Sequence, residues 1–295
     1  MGLSLKDLNN KFGTSTIQHW RTAMKRLLSI FILCVPFMSF AGNNDIYLTQ
    51  TGTGLTLTID QIGATNKIGT SQARAIISGA SMTVDIDQLG DTNTIAASIL
   101  QAGSSSWTYK AEGDSNTATF TVGGTGDVAQ SDFDYDALGG SNVLVFTQGD
   151  AATATSGNQD FDIDGTSNNM NVKCNVVGCV NNWTVAGNSS DVDTTQAGSA
   201  DSNITGTLTG NSNEVTITQS GDKKNFTATV TGASNDIDVT QSGKEHTIAM
   251  TYAGSNMNID IDQTDTASSN VANLLLQSSG GTDSSISIDQ CASGC

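Results

Sequence analysis

Along most of the chain, apolar and polar residues alternate one by one. In Asn235-Asp236-Ile237-Asp238-Val239-Thr240-Gln241, residues Asn235, Ile237, Val239 and Gln241 share one parity, and Asp236, Asp238 and Thr240 share the other. A period of two marks a strand with one buried face, because successive side chains of an extended chain point to opposite sides. The same parity recurs in Leu55–Gln61, Met82–Gln88 and Ile286–Gln290. The Gln that closes each segment therefore points inward with the aliphatics, and the Gly that often follows two positions later predicts a tight corner.

These segments return at a nearly fixed interval. From residue 196 the chain reads Gln196-Ala197-Gly198, Leu208-Thr209-Gly210, Gln219-Ser220-Gly221, Val230-Thr231-Gly232, Gln241-Ser242-Gly243, Tyr252-Ala253-Gly254 and Gln263-Thr264-Asp265. Each triplet lies about 11 residues after the last, and Gln alternates with an apolar residue at its head, so the full unit is about 22 residues in two unequal halves. Such periods belong to solenoids and arrays. The expected fold is an all-β solenoid of two-strand coils, about eleven in number, with residue i lying over i+22 at roughly the 4.8 Å strand spacing. Gln61, Gln88, Gln196, Gln219, Gln241, Gln263, Gln290, Asn213 and Asn235 are the expected inward ladder, and Gly198, Gly210, Gly221, Gly232, Gly243 and Gly254 the corners. A buried amide costs free energy unless paired, and a ladder supplies a partner at every coil.

Ser212-Asn213-Glu214-Val215-Thr216-Ile217-Thr218-Gln219-Ser220-Gly221, followed by Ser234-Asn235 to Gly243, resembles the curlin repeat of curli-type bacterial amyloid fibres. The resemblance covers roughly 195–290 well and 45–125 loosely. It implies a subunit exported through an outer-membrane channel, nucleated at the cell surface and stacked with itself or homologous subunits into adhesive biofilm fibres. Two features depart from that family. The second strand of each unit carries Val, Leu or Tyr where the family usually has Gln, and the middle of the chain carries a Cys pair.

Composition narrows the function classes. Only 37% of residues are apolar and 14% charged, below the roughly 45–50% and 25% of ordinary globular domains. The single proline is Pro36, so nothing after it interrupts a β ladder. Twelve Lys and Arg against 29 Asp and Glu give a net charge of −17, which argues against a nucleic-acid partner or an anionic membrane surface.

Lys25-Arg26, the largely apolar Leu27–Phe40 and the small residues of Ser39-Phe40-Ala41 read as a secretory signal, with the exported chain starting at Gly42 and translation at Met24. The expected organisation is 1–41 extension and signal, 42–124 first repeats, 125–195 irregular segment and 196–295 regular repeats. In an oxidising compartment, Cys174 with Cys179 and Cys291 with Cys295 read as two local disulfides, the second a candidate cap on the last coil.

Other side chains carry candidate chemistry. Outward Asp236 and Asp238, stacked on Asn258 and Asp260, and the pair Asp85 and Asp87 form acidic rows between which divalent cations could bind, although a solvated face explains them as well. Asp132-Phe133-Asp134-Tyr135-Asp136 resembles a calcium loop, but Ala137 and Val143 occupy the positions where such a loop requires Gly and Glu. Outward Thr205, Thr207, Thr209, Thr227, Thr229, Thr231, Thr247 and Thr251 make a flat array of the kind that binds ice, which gives a second function class: a solenoid that does not polymerise. Enzyme chemistry and a cofactor are not expected. The acids belong to the repeat, and His246, the one histidine after the signal, reads as a surface residue.

Overall fold

The computed structural model describes residues 43–101, 105–123, 131–149, 157–175, 178–198, 201–265, 270–278 and 284–292. The expected signal segment, 1–41, lies outside them. The first strands are β1 (Asn43–Ile46), β2 (Thr49–Thr51), β3 (Thr56–Ile62), β4 (Thr65–Ile68), β5 (Ala75–Gly79), β6 (Thr83–Leu89) and β7 (Thr92–Gln101). The middle ones are β8 (Ser105–Glu112), β9 (Ser115–Val122), β10 (Ser131–Gln148), β11 (Asn158–Cys174), β12 (Val180–Ala186), β13 (Asp191–Ala197) and β14 (Ser202–Thr209). The last are β15 (Glu214–Asp222), β16 (Lys224–Ala233), β17 (Asp236–Lys244), β18 (Thr247–Ser255), β19 (Asn258–Asp265), β20 (Val271–Ser278) and β21 (Ser285–Ala292).

All ladders are parallel, and each strand pairs with one a turn away. Two faces result. Face A stacks β3, β6, β8, the first half of β10, the first half of β11, β12, β14, β16, β18 and β20. Face B stacks β1, β4, β7, β9, the second halves of β10 and β11, then β13, β15, β17, β19 and β21, with β2 and β5 extending its first rungs.

The chain is therefore the expected β-solenoid, with ten stacked rungs on face A and eleven on face B among the described residues. Stacked partners are not always 22 residues apart: Gln61 and Gln88 are separated by 27 positions, Asn116 and Asn142 by 26. The segment that loses its sequence period is continuous with the stack, since β10 pairs with β8 and β9 below and with β11 above.

The alternation is read out as burial. Along β17, Ile237, Val239 and Gln241 are buried while Asp236, Asp238 and Thr240 are exposed. The core is a single column of side chains between the two faces. It is aromatic in the middle, where Tyr109 stacks on Tyr135 and Phe133 packs on Phe120 and Phe146, and largely aliphatic towards the C-terminal end. Burying each such side chain stabilises the stack by about 1.5–3 kcal/mol.

Candidate functional site

The repeating chemistry of this molecule is its internal amides, and they form two columns on face B and a short one on face A. Gln196, Gln219, Gln241, Gln263 and Gln290 make the first. Each Nε2 donates to the Oε1 of the Gln one turn earlier, at 2.9, 2.7, 2.8 and 2.6 Å in order. The other amide hydrogen of Gln219 and Gln241 reaches a backbone carbonyl, Asn225 O at 3.3 Å and Thr247 O at 3.5 Å. The expected ladder is present over these five residues.

Gln61 and Gln88 do not belong to it. They lie on face A, where Gln88 Nε2 donates to Gln61 Oε1 at 2.6 Å and Tyr109 Oη donates to Gln88 Oε1 at 2.5 Å. Above Gln88 this column becomes apolar, passing through Ala111 and Ala137 to Ile163, Val185, Leu208, Val230 and Tyr252. Both strand types end in an inward residue followed by a corner, so Gln-x-Gly by itself does not tell the faces apart. Burial pushes the Tyr109 phenol well above its ordinary pKa, keeping it a neutral donor.

The second face-B column was missed by counting Gln. Asn44, Asn66, Asn93, Asn116, Asn142 and Asn168 are joined amide to amide, each Nδ2 donating to the next Oδ1 at 2.8–2.9 Å. Most also hold their own corner, as Asn93 does by donating to Gly90 O at 3.2 Å and Glu112 O at 2.9 Å. The signal that finds them is Gly-x-x-Asn, at Gly63–Asn66, Gly90–Asn93, Gly113–Asn116, Gly139–Asn142 and Gly165–Asn168. Asn213 and Asn235 continue this column as buried residues but are linked differently. Their Oδ1 atoms accept backbone N–H groups, from Ser190 at 2.8 Å and Asn213 at 3.0 Å.

The expected corner glycines fall into two columns. Gly210, Gly232 and Gly254 stack at the corner leading from face A to face B, above Gly187, Gly165, Gly139 and Gly113. Gly198, Gly221 and Gly243 stack at the return corner. At Gly232, φ is +137° and a Cβ would lie 1.8 Å from Gly210 O; at Gly139 it would lie 1.7 Å from Gly113 O. Backbone rests directly on backbone there, so no side chain fits.

Cys174 and Cys179 form a disulfide across the return corner. Cys174 takes the place of an amide in the Gln column, over Gln148 and under Gln196. The proposed bond from Cys291 to Cys295 lies outside the described residues, because Cys295 does. One further residue departs from expectation. His246 is buried, not at the surface, because it occupies the inward corner position also taken by Ser202 and Lys224. Buried Lys224 donates to Gly198 O at 2.9 Å and Ser202 Oγ at 3.1 Å, and burial lowers its pKa.

Outside, the register aligns the acids. Asp134 faces Asp160 and Asp136 faces Asp162 on face A, and Asp238 faces Asp260 on face B. Burial and then these like charges raise the pKa values of Asp134, Asp162 and Asp238. Asp132 to Asp136 lie within strand β10, not in a calcium-type loop. Among the described residues no three acidic, His or Cys side chains are grouped to hold a metal ion. The threonines align too, Thr207 with Thr229 and Thr251, Thr205 with Thr227, and Thr209 with Thr231, but Ala249 and Ala253 interrupt the array and Thr247 falls in a column with Asn203 and Asn225.

Among the described residues, both ends of the stack are open edges. Among the described residues, β20 pairs only with β18 and β21 only with β19, while β1, β2 and β3 pair only with β4, β5 and β6. No family model matches the chain, and comparison with curated proteins and with solved structures returns no significant match.

Proposed function

We propose that this chain is a secreted structural subunit of curli-like extracellular fibres, which assembles by adding coil to coil and serves surface adhesion and biofilm cohesion. The observation that carries the proposal is that the face-B columns and backbone ladders run from rung to rung and, among the described residues, reach open edges at both ends. An unpaired parallel edge backed by an unfinished column templates the addition of another rung. The acidic rows repel sideways contacts and leave the ends as the adhesive surfaces. In this role the chain meets copies of itself or homologous subunits, a secretion channel and a nucleator, and it needs no catalytic residue.

Electron microscopy of the purified chain after removal of denaturant tests this. Unbranched fibres that bind amyloid dyes support it; a chain that stays monomeric at tens of micromolar opposes it. A second reading draws on the aligned threonines of β14 and β16, which give that stretch of face A three uncharged Thr pairs of the kind suited to ice. Thermal hysteresis by a non-polymerising chain would favour that reading.

A further inference from the structure

On face B the two ends of the stack match each other column by column. On face B the last rung carries Ile286, Ile288 and Gln290 inward, and the first carries Ile46, Leu48 and Gln50. Following the register through the stack puts Ile46 and Ile286 in one column, Leu48 and Ile288 in the next, and Gln50 and Gln290 in the third. One turn below the end, Ile259 and Ile261 are 0% exposed, whereas Ile286 and Ile288, in the same columns, are 40% and 42% exposed. The last rung thus leaves uncovered what every inner rung buries.

The polar atoms match as well. Gln290 spends an amide hydrogen on Gln263, and no described residue donates to its Oε1. The Gln50 side chain makes no hydrogen bond among the described residues. Gln61, at the open end of face A, is already committed, donating to Asn44 O at 3.0 Å and accepting from Gln88. Face A has ten stacked strands to face B's eleven, so the junction is made on face B, and β3 of a second copy lies one rung clear of β20. Outward, the same superposition sets Asp45 over Ser285, Tyr47 over Ser287 and Thr49 over Asp289, so no carboxylate meets another, unlike Asp238 and Asp260 inside the stack.

We infer that the open C-terminal end receives the N-terminal end of a second copy of this chain through face B, with β1 and β2 laid parallel on β21 and with Gln50 of the incoming copy donating to Gln290. This rests on the fibre proposal and adds the register and the bond that fix the junction.

Cysteine pairs in the full chain test it. Tyr47→Cys with Ser287→Cys places two outward thiols side by side at the junction but about 45 Å apart within one copy, ten rungs away. Asp45→Cys with Asp289→Cys is offset by about 13 Å along the strand and serves as control. Oxidised polymers of the first variant should yield covalent multimers on denaturing gels, and those of the second should not. Polymers that form but crosslink equally in both variants, or only in the control, overturn the register and leave the fibre proposal standing; absence of any polymer overturns both. Gln50→Leu should raise the monomer concentration left at plateau roughly tenfold, as for one unpaired buried amide. An unchanged plateau overturns the amide bond.

Discussion

The two halves of the stack tie their rungs together with different amides. From Asn44 to Asn168 the hydrogen-bonded column is Asn, at the corner; from Gln196 to Gln290 it is Gln, at the far end of the face-B strand. Between them the Asn column passes through Ser190 and the Gln column through the Cys174–Cys179 disulfide. The cores differ in step. The turns around Tyr109, Phe133, Tyr135, Phe146 and Phe161 are filled by rings, and those above Ser202 mainly by aliphatics. A solenoid of this kind needs one satisfied amide column per turn, and which column carries it can change along the rod.

A second contrast lies between the two corners. The step from face A to face B is the same in the inner turns of both halves, as in Gly139–Asn142 and Gly232–Asn235, and lengthens only at the last turn, from Ser278 to Ser284, whereas the return step stretches from Gln219–Phe226 to Gln148–Gln159. In the inner turns the first corner is bonded backbone to backbone and amide to carbonyl, which leaves no room for an extra residue; the other only has to reconnect the faces.

Breaking the fixed corner should have the largest effect, equally in both halves. Gly139→Ala and Gly232→Ala each drive a Cβ into a carbonyl less than 2 Å away, at 1.7 and 1.8 Å, and should cost about 3 kcal/mol or more in chemical denaturation. The amide columns come next and separate the halves. Gln241→Leu strands the amides of Gln219 and Gln263, and Asn116→Leu strands those of Asn93 and Asn142; each should cost about 2–3 kcal/mol. Gln88→Leu strands the Gln61 amide oxygen and the buried Tyr109 hydroxyl and should cost a similar amount. Reducing the disulfide should lower stability by about 2 kcal/mol, as for a short closed loop. Two extra residues between Gln148 and Gln159 should cost under about 1 kcal/mol, whereas the same insertion between Gly232 and Asn235 should abolish the cooperative transition.

The smallest effect is electrostatic. Asp134, Asp162 and Asp238 hold their protons more tightly folded than unfolded, so the folded state binds more protons just above the ordinary carboxylate range. Stability should therefore rise as the pH falls from 7 towards about 5, and fall again on return. Urea midpoints across that range check the sign, and Asp134→Asn with Asp162→Asn should flatten the slope.

Much of this was legible in the sequence. Period two gave strand and parity, and the regular Gln spacing gave both the solenoid and the column from Gln196 to Gln290. The middle of the chain was harder because the length variation of the return corner erases any count based on Gln. The fixed Gly-x-x-Asn corner, which survives at Gly113, Gly139 and Gly165, would have carried the register through it. The assignment of Gln61 and Gln88 to face A and the burial of His246 and Lys224 depend on which face a segment joins, and that is set by counting turns through the whole stack.

Solid-state NMR of uniformly labelled protein tests the columns most directly. The account predicts side-chain amide contacts linking Gln219, Gln241 and Gln263, and separately Asn116, Asn142 and Asn168, with all six amides protected from exchange. Side-chain amides of these residues that exchange with water at the rate of exposed ones, and show no contacts one turn apart, would contradict it.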